Sequence, residues 1–458
     1  MTKKIILQSI LFLLLCSISF SSYAQGLQNA LKTAYEIKAD SLLEYLFNNN
    51  KLMGSVTIAK AGKVVYEKAT GYSQLSGNEK IFSSTGTKYR IGSITKMFTS
   101  VMIFQLKDEK KLSINSTLSK FFPGIPNADK ITIENLLNHH SGLHNFTNDS
   151  TYLNWDTSPK TEQQMLELFK NQKPDFQPGE KREYSNTNYV VLGFIIEKIT
   201  GDNYRDELKK RIVDKIGLEN TYYGHRIDAN NNEAFSYTFG DNMWAQSKET
   251  DMSIPGGAGA IVSTPGDLTK FIYALFTEKL ISPESLKEMT TIKDNFGMGI
   301  FQISFYDKHG SGHTGGIDGF VSNLEYFPGD SIALAFCANG MNYNMNETLK
   351  GILSSYYDKP FTFPSFKTIN IPVKQLSKYE GVFSSVVLNL KISIKRKGNI
   401  LTAQAANQSA FPLSAVSETQ FIFDPAGITI DFTISKDGQI NEFYLKQRSG
   451  RFLFTKEK

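Results

Sequence analysis

The chain has 458 residues, 40% hydrophobic and 21% charged, a globular composition too long for one ordinary core; at about 150 residues per domain it implies roughly two or three units. It carries 50 basic and 45 acidic residues, a formal net charge of +5, which excludes a dedicated nucleic-acid surface or a polybasic membrane patch. Cys16 and Cys337 are the only cysteines, so no disulfide framework is available.

Lys3 and Lys4 precede an apolar run over 5–15, and a polar stretch then ends in Ser22-Tyr23-Ala24. That pattern fits a leader cleaved after Ala24. The run is shorter than the roughly 20 residues that span a bilayer, and no later stretch is long and apolar enough. The expectation is an exported chain, periplasmic or secreted, without a transmembrane segment in its mature form. Removing Lys3 and Lys4 leaves 48 basic residues and a net charge of +3. Cys337, inside "SIALAFCAN", reads as a buried strand cysteine.

Residues 30–47 have helical spacing, and "GSVTIAKAGKVVYEKATGY" reads as a hairpin turning at Ala61-Gly62-Lys63. Helices are expected over 93–107, 132–138, 161–171, 188–200, 204–216 and 265–276, several stopped by glycine or proline. Strands return at "GMGIFQISFY", "GFVSNLEYF" and "SIALAFCAN", the last two joined at Pro328-Gly329-Asp330. A helix over 344–357 closes the unit. Strands at both ends with helices between them imply an α+β domain whose antiparallel sheet is assembled from distant pieces. "DKPFTFPSF" over 358–366 breaks all periodicity, which places a domain junction there. Beyond it come short alternating strands without a convincing helix, a small all-β sheet or barrel of about 90 residues. The expected divisions are a leader over 1–24, a first domain over 25–360 and the all-β domain over 366–458.

Three stretches carry candidate chemistry. Ser93 and Lys96 open an apolar helix three residues apart, so both project from one face. A serine hydroxyl becomes a nucleophile when a base takes its proton. A lysine desolvated at a helix N-terminus can be that base. The bland alternative is an N-cap serine beside a solvated lysine. In "EYSNTNYVVLGFIIEKITG", Tyr184 could relay a proton and the Asn186 amide could hold a substrate carbonyl, although a turn and helix start, with Thr187 and Asn188 as caps, fits equally. In "HGSGHTGGIDGF" five glycines suit either a turn or a strand edge that approaches a ligand. The Gly316 N–H, with that of Ser93, could form an oxyanion hole, and His313 would line the same site. His139, His140 and His144 lie close in sequence, but Ser141-Gly142 breaks the helix that would align them as metal ligands.

Ser93-Ile94-Thr95-Lys96, Tyr184-Ser185-Asn186 and His313-Thr314-Gly315, in that order, resemble the three motifs of the serine β-lactamase and penicillin-binding-protein superfamily. The likeness is to its branch of class C β-lactamases, DD-peptidases and esterases. "LLNHHSGL" over 136–143 and "GGAGAIVSTPGDLTKF" over 256–271 resemble stretches common in that branch, and the tail from "LSKYEGVF" resembles a small lipocalin-like appendage. The resemblance implies an acyl-enzyme on Ser93, with Lys96 as proton partner, Tyr184 as general base and acid, and no metal or organic cofactor. Asn186, His313, Thr314, Gly315 and Gly316 would contact a small-molecule or peptide substrate. His313 stands where many relatives have lysine, which counts against dedicated β-lactamase activity. The readings left open are a DD-peptidase or D-amino-acid peptide amidase, a carboxylesterase of the same fold, a β-lactamase, and a non-catalytic sensor of β-lactams or wall fragments. An unclosed edge in the C-terminal sheet would also permit strand pairing with a partner.

Overall fold

The computed structural model describes residues 32–457 except 78, 241, 294, 407, 436, 437, 448 and 449; the expected leader lies outside them, as do Lys436 and Asp437, where the sequence with Gly438 reads as a turn between C-terminal strands. The chain forms two compact units. The smaller joins the described residues up to Tyr45 with Asn346–Ser365. In it, helix α1 (Ala34–Asn48) meets the later helix Met345–Tyr356 so closely that a Cβ on Gly351 would lie 2.5 Å from Leu42. Tyr35 sets its edge against Tyr356 at 5.3 Å.

The larger unit, Leu46–Met345 with Phe366–Lys458, is built on an antiparallel sheet. Strands β1 (Leu52–Lys60) and β2 (Lys63–Thr70) form the expected hairpin. Ala61 and Gly62 both take positive φ, 49° and 76°, the backbone that lets a two-residue turn follow the strands' twist. Four strands from much later in the chain complete the main order: β3 (Phe301–Phe305), β4 (Lys308–Ile317), β5 (Phe320–Phe327) and β6 (Ile332–Met341). The order is β3-β4-β5-β6-β1-β2, and two further strands, Tyr237–Gly240 and Met243–Gln246, branch from β6. β1 therefore pairs with β6, from Leu52↔Met341 to Lys60↔Ile332, which brings the two ends of the helical segment together. Most of the glycine-rich stretch, His309 to Ile317, belongs to β4, a ten-residue strand, and only Asp318-Gly319 form the turn into β5.

On one face of this sheet, Ala59, Leu324, Tyr326, Ala333, Ala335 and Cys337 join a core with helices α2 (Thr95–Asp108), α3 (Asn186–Thr200) and α4 (Pro265–Phe276). Phe98 of α2 stacks on Phe271 of α4, and Phe276 on Tyr326 of β5. Phe98 and Phe271 are fully buried, and such a side chain contributes about 1.5–3 kcal/mol. α2 is not the one-striped helix its spacing suggests: every residue from Thr95 to Leu106 is buried, as expected of a helix enclosed on all sides. α3 starts at Asn186, two residues earlier than expected, and α4 is capped by Thr264, which accepts from the Asp267 N–H at 3.2 Å. The expected helix over 204–216 is interrupted by a wider turn at Lys209–Val213, where Arg211 reaches both Glu207 and Glu109.

The C-terminal strands close into an eight-stranded antiparallel barrel running from Gly381 to Lys456. The last strand returns to the first through Phe383↔Lys456 and Ser384↔Thr455. Closure removes the edge that would have invited a partner strand, so that expectation falls. Its interior is aromatic: Phe443 lies 4.9 Å from Phe383, 5.4 Å from Phe432 and 5.0 Å from Phe454. A short helix, Val373–Leu376, and the turn Ser377–Tyr379, which the strand pattern did not suggest, lead Tyr379 into the same core. Lys51, just before β1, pairs with Asp424 of the barrel at 2.8 Å.

Candidate active site

Ser93 sits in a single tight turn, Gly92–Ile94, immediately before α2. It caps nothing, since neither the turn nor α2 has a side-chain cap at its N-terminus. The N-cap alternative is thereby removed. The first turn of α2 contains no acidic residue, so the positive end of the helix is uncompensated where an anion on Ser93 would form.

Lys96 is 0% exposed. Its Nζ lies 2.9 Å from Ser93 Oγ, 2.8 Å from Asn186 Oδ1 and 2.8 Å from the Ala258 carbonyl. Burial pushes its pKa well below the ordinary lysine value. A neutral amine has two N–H donors and one lone pair. Asn186 and Ala258 can only accept, so in that neutral form they would take the donors and leave the lone pair for the Ser93 hydroxyl.

The Tyr184 hydroxyl also donates to Ser93 Oγ, at 2.9 Å. Burial raises its pKa, opposed in part by the bond to Ser93, so Tyr184 stays a protonated phenol. Asn186, the first residue of α3, is held at both ends of its amide. Oδ1 accepts from Lys96, Nδ2 donates to Thr147 Oγ1 at 3.1 Å, and its backbone N–H donates to Asn145 Oδ1 at 3.0 Å.

β4 forms a further wall. Gly315 is required by packing: a Cβ there would lie 2.0 Å from the Ile91 carbonyl oxygen and 2.3 Å from Ser322 Oγ. Gly92, at φ +48°, abuts Gly316, whose N would be 2.8 Å from an added Cβ. The strand and the turn carrying Ser93 thus meet backbone to backbone. His313 is 1% exposed. Its Nδ1 bonds the Thr314 carbonyl, and its ring lies 4.0 Å from Phe301 and 6.4 Å from Tyr184. Burial, then the neighbouring Lys96, lowers its pKa to about 3. His313 is therefore neutral near pH 7 and supplies no cation where a lysine would.

Of the residues singled out in sequence, Ser93, Lys96, Tyr184 and Asn186 are joined directly by hydrogen bonds, and His313 packs beside them. Thr314 lies between His313 and Gly315 in β4, paired with Asn323. The three clustered histidines diverge. His144 lies between Asp149 and Asp175, His140 Nδ1 bonds Asn138, and His139 turns inward to Ser185 and Asn188. Sequence reasoning did not single out the Ala258 carbonyl, Asn145 or Thr147. Ala258 falls within a stretch whose likeness to the superfamily was visible; the other two carry no local signal.

The sequence pattern of the family described as Beta-lactamase matches residues 48–354. Penicillin-binding protein 4* of Bacillus subtilis (strain 168) is 26% identical over 427 residues, covering 87% of this chain and 93% of the relative. Teichoic acid D-alanine hydrolase of Staphylococcus aureus (strain NCTC 8325 / PS 47) is 29% identical over 313 residues, covering 67% and 74%. Among solved structures, D-amino acid amidase from Ochrobactrum anthropi SV3, complexed with D-phenylalanine, aligns with a TM-score of 0.63 at 25% identity, covering 71% of this chain and 99% of that one.

Proposed function

The chain belongs to the Beta-lactamase family and is a serine hydrolase, and from that premise we propose that Ser93 is its nucleophile, acting on peptides or amides of D-amino acids. The carrying observation is that Ser93 Oγ lies 2.9 Å from both Lys96 Nζ and Tyr184 Oη. Lys96, neutral through burial, accepts the Ser93 proton as Oγ attacks the carbonyl carbon. The oxyanion is received by the N–H groups of Ser93 and Gly316. Tyr184 gives its proton to the departing amine and is reprotonated from Lys96. Water then enters by the reverse path, losing its proton to the same pair and releasing the acid from Ser93. This divides the labour differently from the expectation of Tyr184 as base: the raised pKa of the phenol suits a donor, the lowered one of the amine suits an acceptor. Asn186 orients Lys96, while His313, Thr314, Gly315 and Gly316 shape the wall along which substrate lies.

The substrate class rests on the relatives, which include a penicillin-binding protein, a D-alanine hydrolase and a D-amino acid amidase. A carboxylesterase is the second reading, favoured by the aromatic wall in which Phe301 lies 4.0 Å from His313 and 4.3 Å from Phe296. Export after cleavage near Ala24, and a division of the chain into 25–360 and 366–458, belong to the same proposal. Among the described residues no helix is long and apolar enough to cross a membrane.

The test is to incubate the purified protein and its Ser93→Ala variant with D-alanyl peptides, D-amino-acid amides, p-nitrophenyl esters and a reporter penicillin, following turnover and adduct mass. D-substrates should be hydrolysed, with an acyl group trapped on the wild type alone, and Ser93→Ala should lose at least about 10⁴-fold. Turnover retained by Ser93→Ala removes Ser93 from the mechanism. Turnover of esters without any D-substrate selects the second reading.

A further inference from the structure

His139 belongs to a stretch, "LLNHHSGL", that the chemistry above leaves unused, yet it is bound to the segment carrying Tyr184. The Glu183 N–H donates to the His139 carbonyl at 3.0 Å, and the Ser185 N–H donates to His139 Nδ1 at 3.2 Å. The backbone amides on either side of Tyr184 are thus both anchored on one residue. The His139 ring also lies against the Tyr184 ring, with centroids 4.4 Å apart and planes tilted by 33°. Asn188 Nδ2 is 3.2 Å from the same Nδ1. A backbone N–H can only donate, so Nδ1 is the accepting nitrogen and the ring proton sits on Nε2.

Two features set this residue apart from an ordinary core histidine. Its backbone is left-handed, at φ 64°, a conformation unfavourable for a residue with a side chain unless its surroundings enforce it. It is also 1% exposed, and Nε2 has no hydrogen-bond partner among the described residues, an arrangement that packing for stability alone does not call for. Tyr184 itself makes its hydroxyl bond to Ser93, which fixes only the far end of the side chain. The near end and the ring plane are fixed by His139.

We infer that His139 is a positioning residue for Tyr184, bracketing its backbone and backing its ring so that the phenol oxygen is held at Ser93. This rests on the reading of Ser93 and Tyr184 as reacting groups. A misplacement of about 1 Å in such a group can lower a rate on the order of 10²-fold.

The experiment compares wild type, His139→Asn, His139→Ala and Ser93→Ala in burst kinetics with a p-nitrophenyl ester, normalised to folded protein by circular dichroism. Asparagine tolerates positive φ and places an acceptor near the position of Nδ1, so His139→Asn keeps the backbone anchor and removes the ring. Acylation in His139→Asn should fall about ten- to hundred-fold with KM within two-fold, and His139→Ala should fall further. Acylation by folded His139→Asn within two-fold of wild type, or a loss carried wholly by KM, overturns the inference. Ser93→Ala separates the two readings. If it retains turnover, the assignment of the site fails. If it is inert while His139→Asn acylates normally, the positioning role alone fails.

Discussion

The hydrolase core and the C-terminal barrel bury their interiors by opposite means. Around Ser93, one compact region encloses a lysine, two histidines and several amide and hydroxyl groups: Lys96, His139, His313, Asn188 and Thr187 are each 0–1% exposed. In the barrel the buried cluster is hydrophobic, dominated by phenylalanine, and Ser385 is the buried polar residue there among the described positions. Polar burial is costly unless each group is matched. Among the described residues the core leaves His139 Nε2 and His313 Nε2 unmatched and the barrel leaves Ser385 Oγ unmatched; what differs is that the rest of the barrel's interior is apolar. The contrast teaches where to look for chemistry: in the region that gathers buried ionisable and amide groups, and not in the one whose interior is almost wholly apolar.

The contrast breaks most sharply at Lys96. Lys96→Arg supplies a permanent cation of similar reach that cannot give up its proton, so acylation of an activated ester should fall about 10²–10⁴-fold. Stopped-flow acylation close to the wild-type rate would mean that charge, and not proton acceptance, is what the core buries there. The barrel should respond in the opposite sense. Phe443→Ala removes a ring packed against three others and should destabilise the barrel by about 3–5 kcal/mol, seen as an earlier denaturant transition. Ester turnover per folded molecule should stay unchanged. Loss of turnover with the core still folded would show that the two regions are coupled. A smaller effect sharpens the comparison. Lys96 has a folded pKa below its ordinary value of 10.5, so between that folded pKa and 10.5 folding releases a proton that the unfolded chain keeps. That cost is complete below the folded pKa and vanishes above about 10.5. Lys96→Met removes it, and the stability difference between variant and wild type should shift in favour of wild type as pH rises toward that value. Urea melts showing a pH-independent difference would place the buried lysine in its charged form.

Much of this was legible in the linear chain because it is local. Ala61-Gly62 specify a hairpin turn, Thr161 and Thr264 cap helices three residues ahead, and Ser93 with Lys96 lie one turn apart. The barrel's alternating strands were readable for the same reason. Its closure was not, because Phe383 and Lys456 pair across most of the domain's length. Nor did the apolar spacing of α2 show that the helix is buried on every side, since burial is set by what surrounds a helix.

The sequence by itself determined that Ser93 and Lys96 lie side by side and the classes of element that carry them, since backbone propensity and the three-residue helical spacing act over a single turn. Tertiary structure alone decided the protonation of those groups. The partners of Lys96 lie 3, 90 and 162 positions away, and the pairing of β1 with β6 spans the whole helical segment. Only when those segments converge is water expelled from the amine, and desolvation is a property of the enclosure, not of any residue within it.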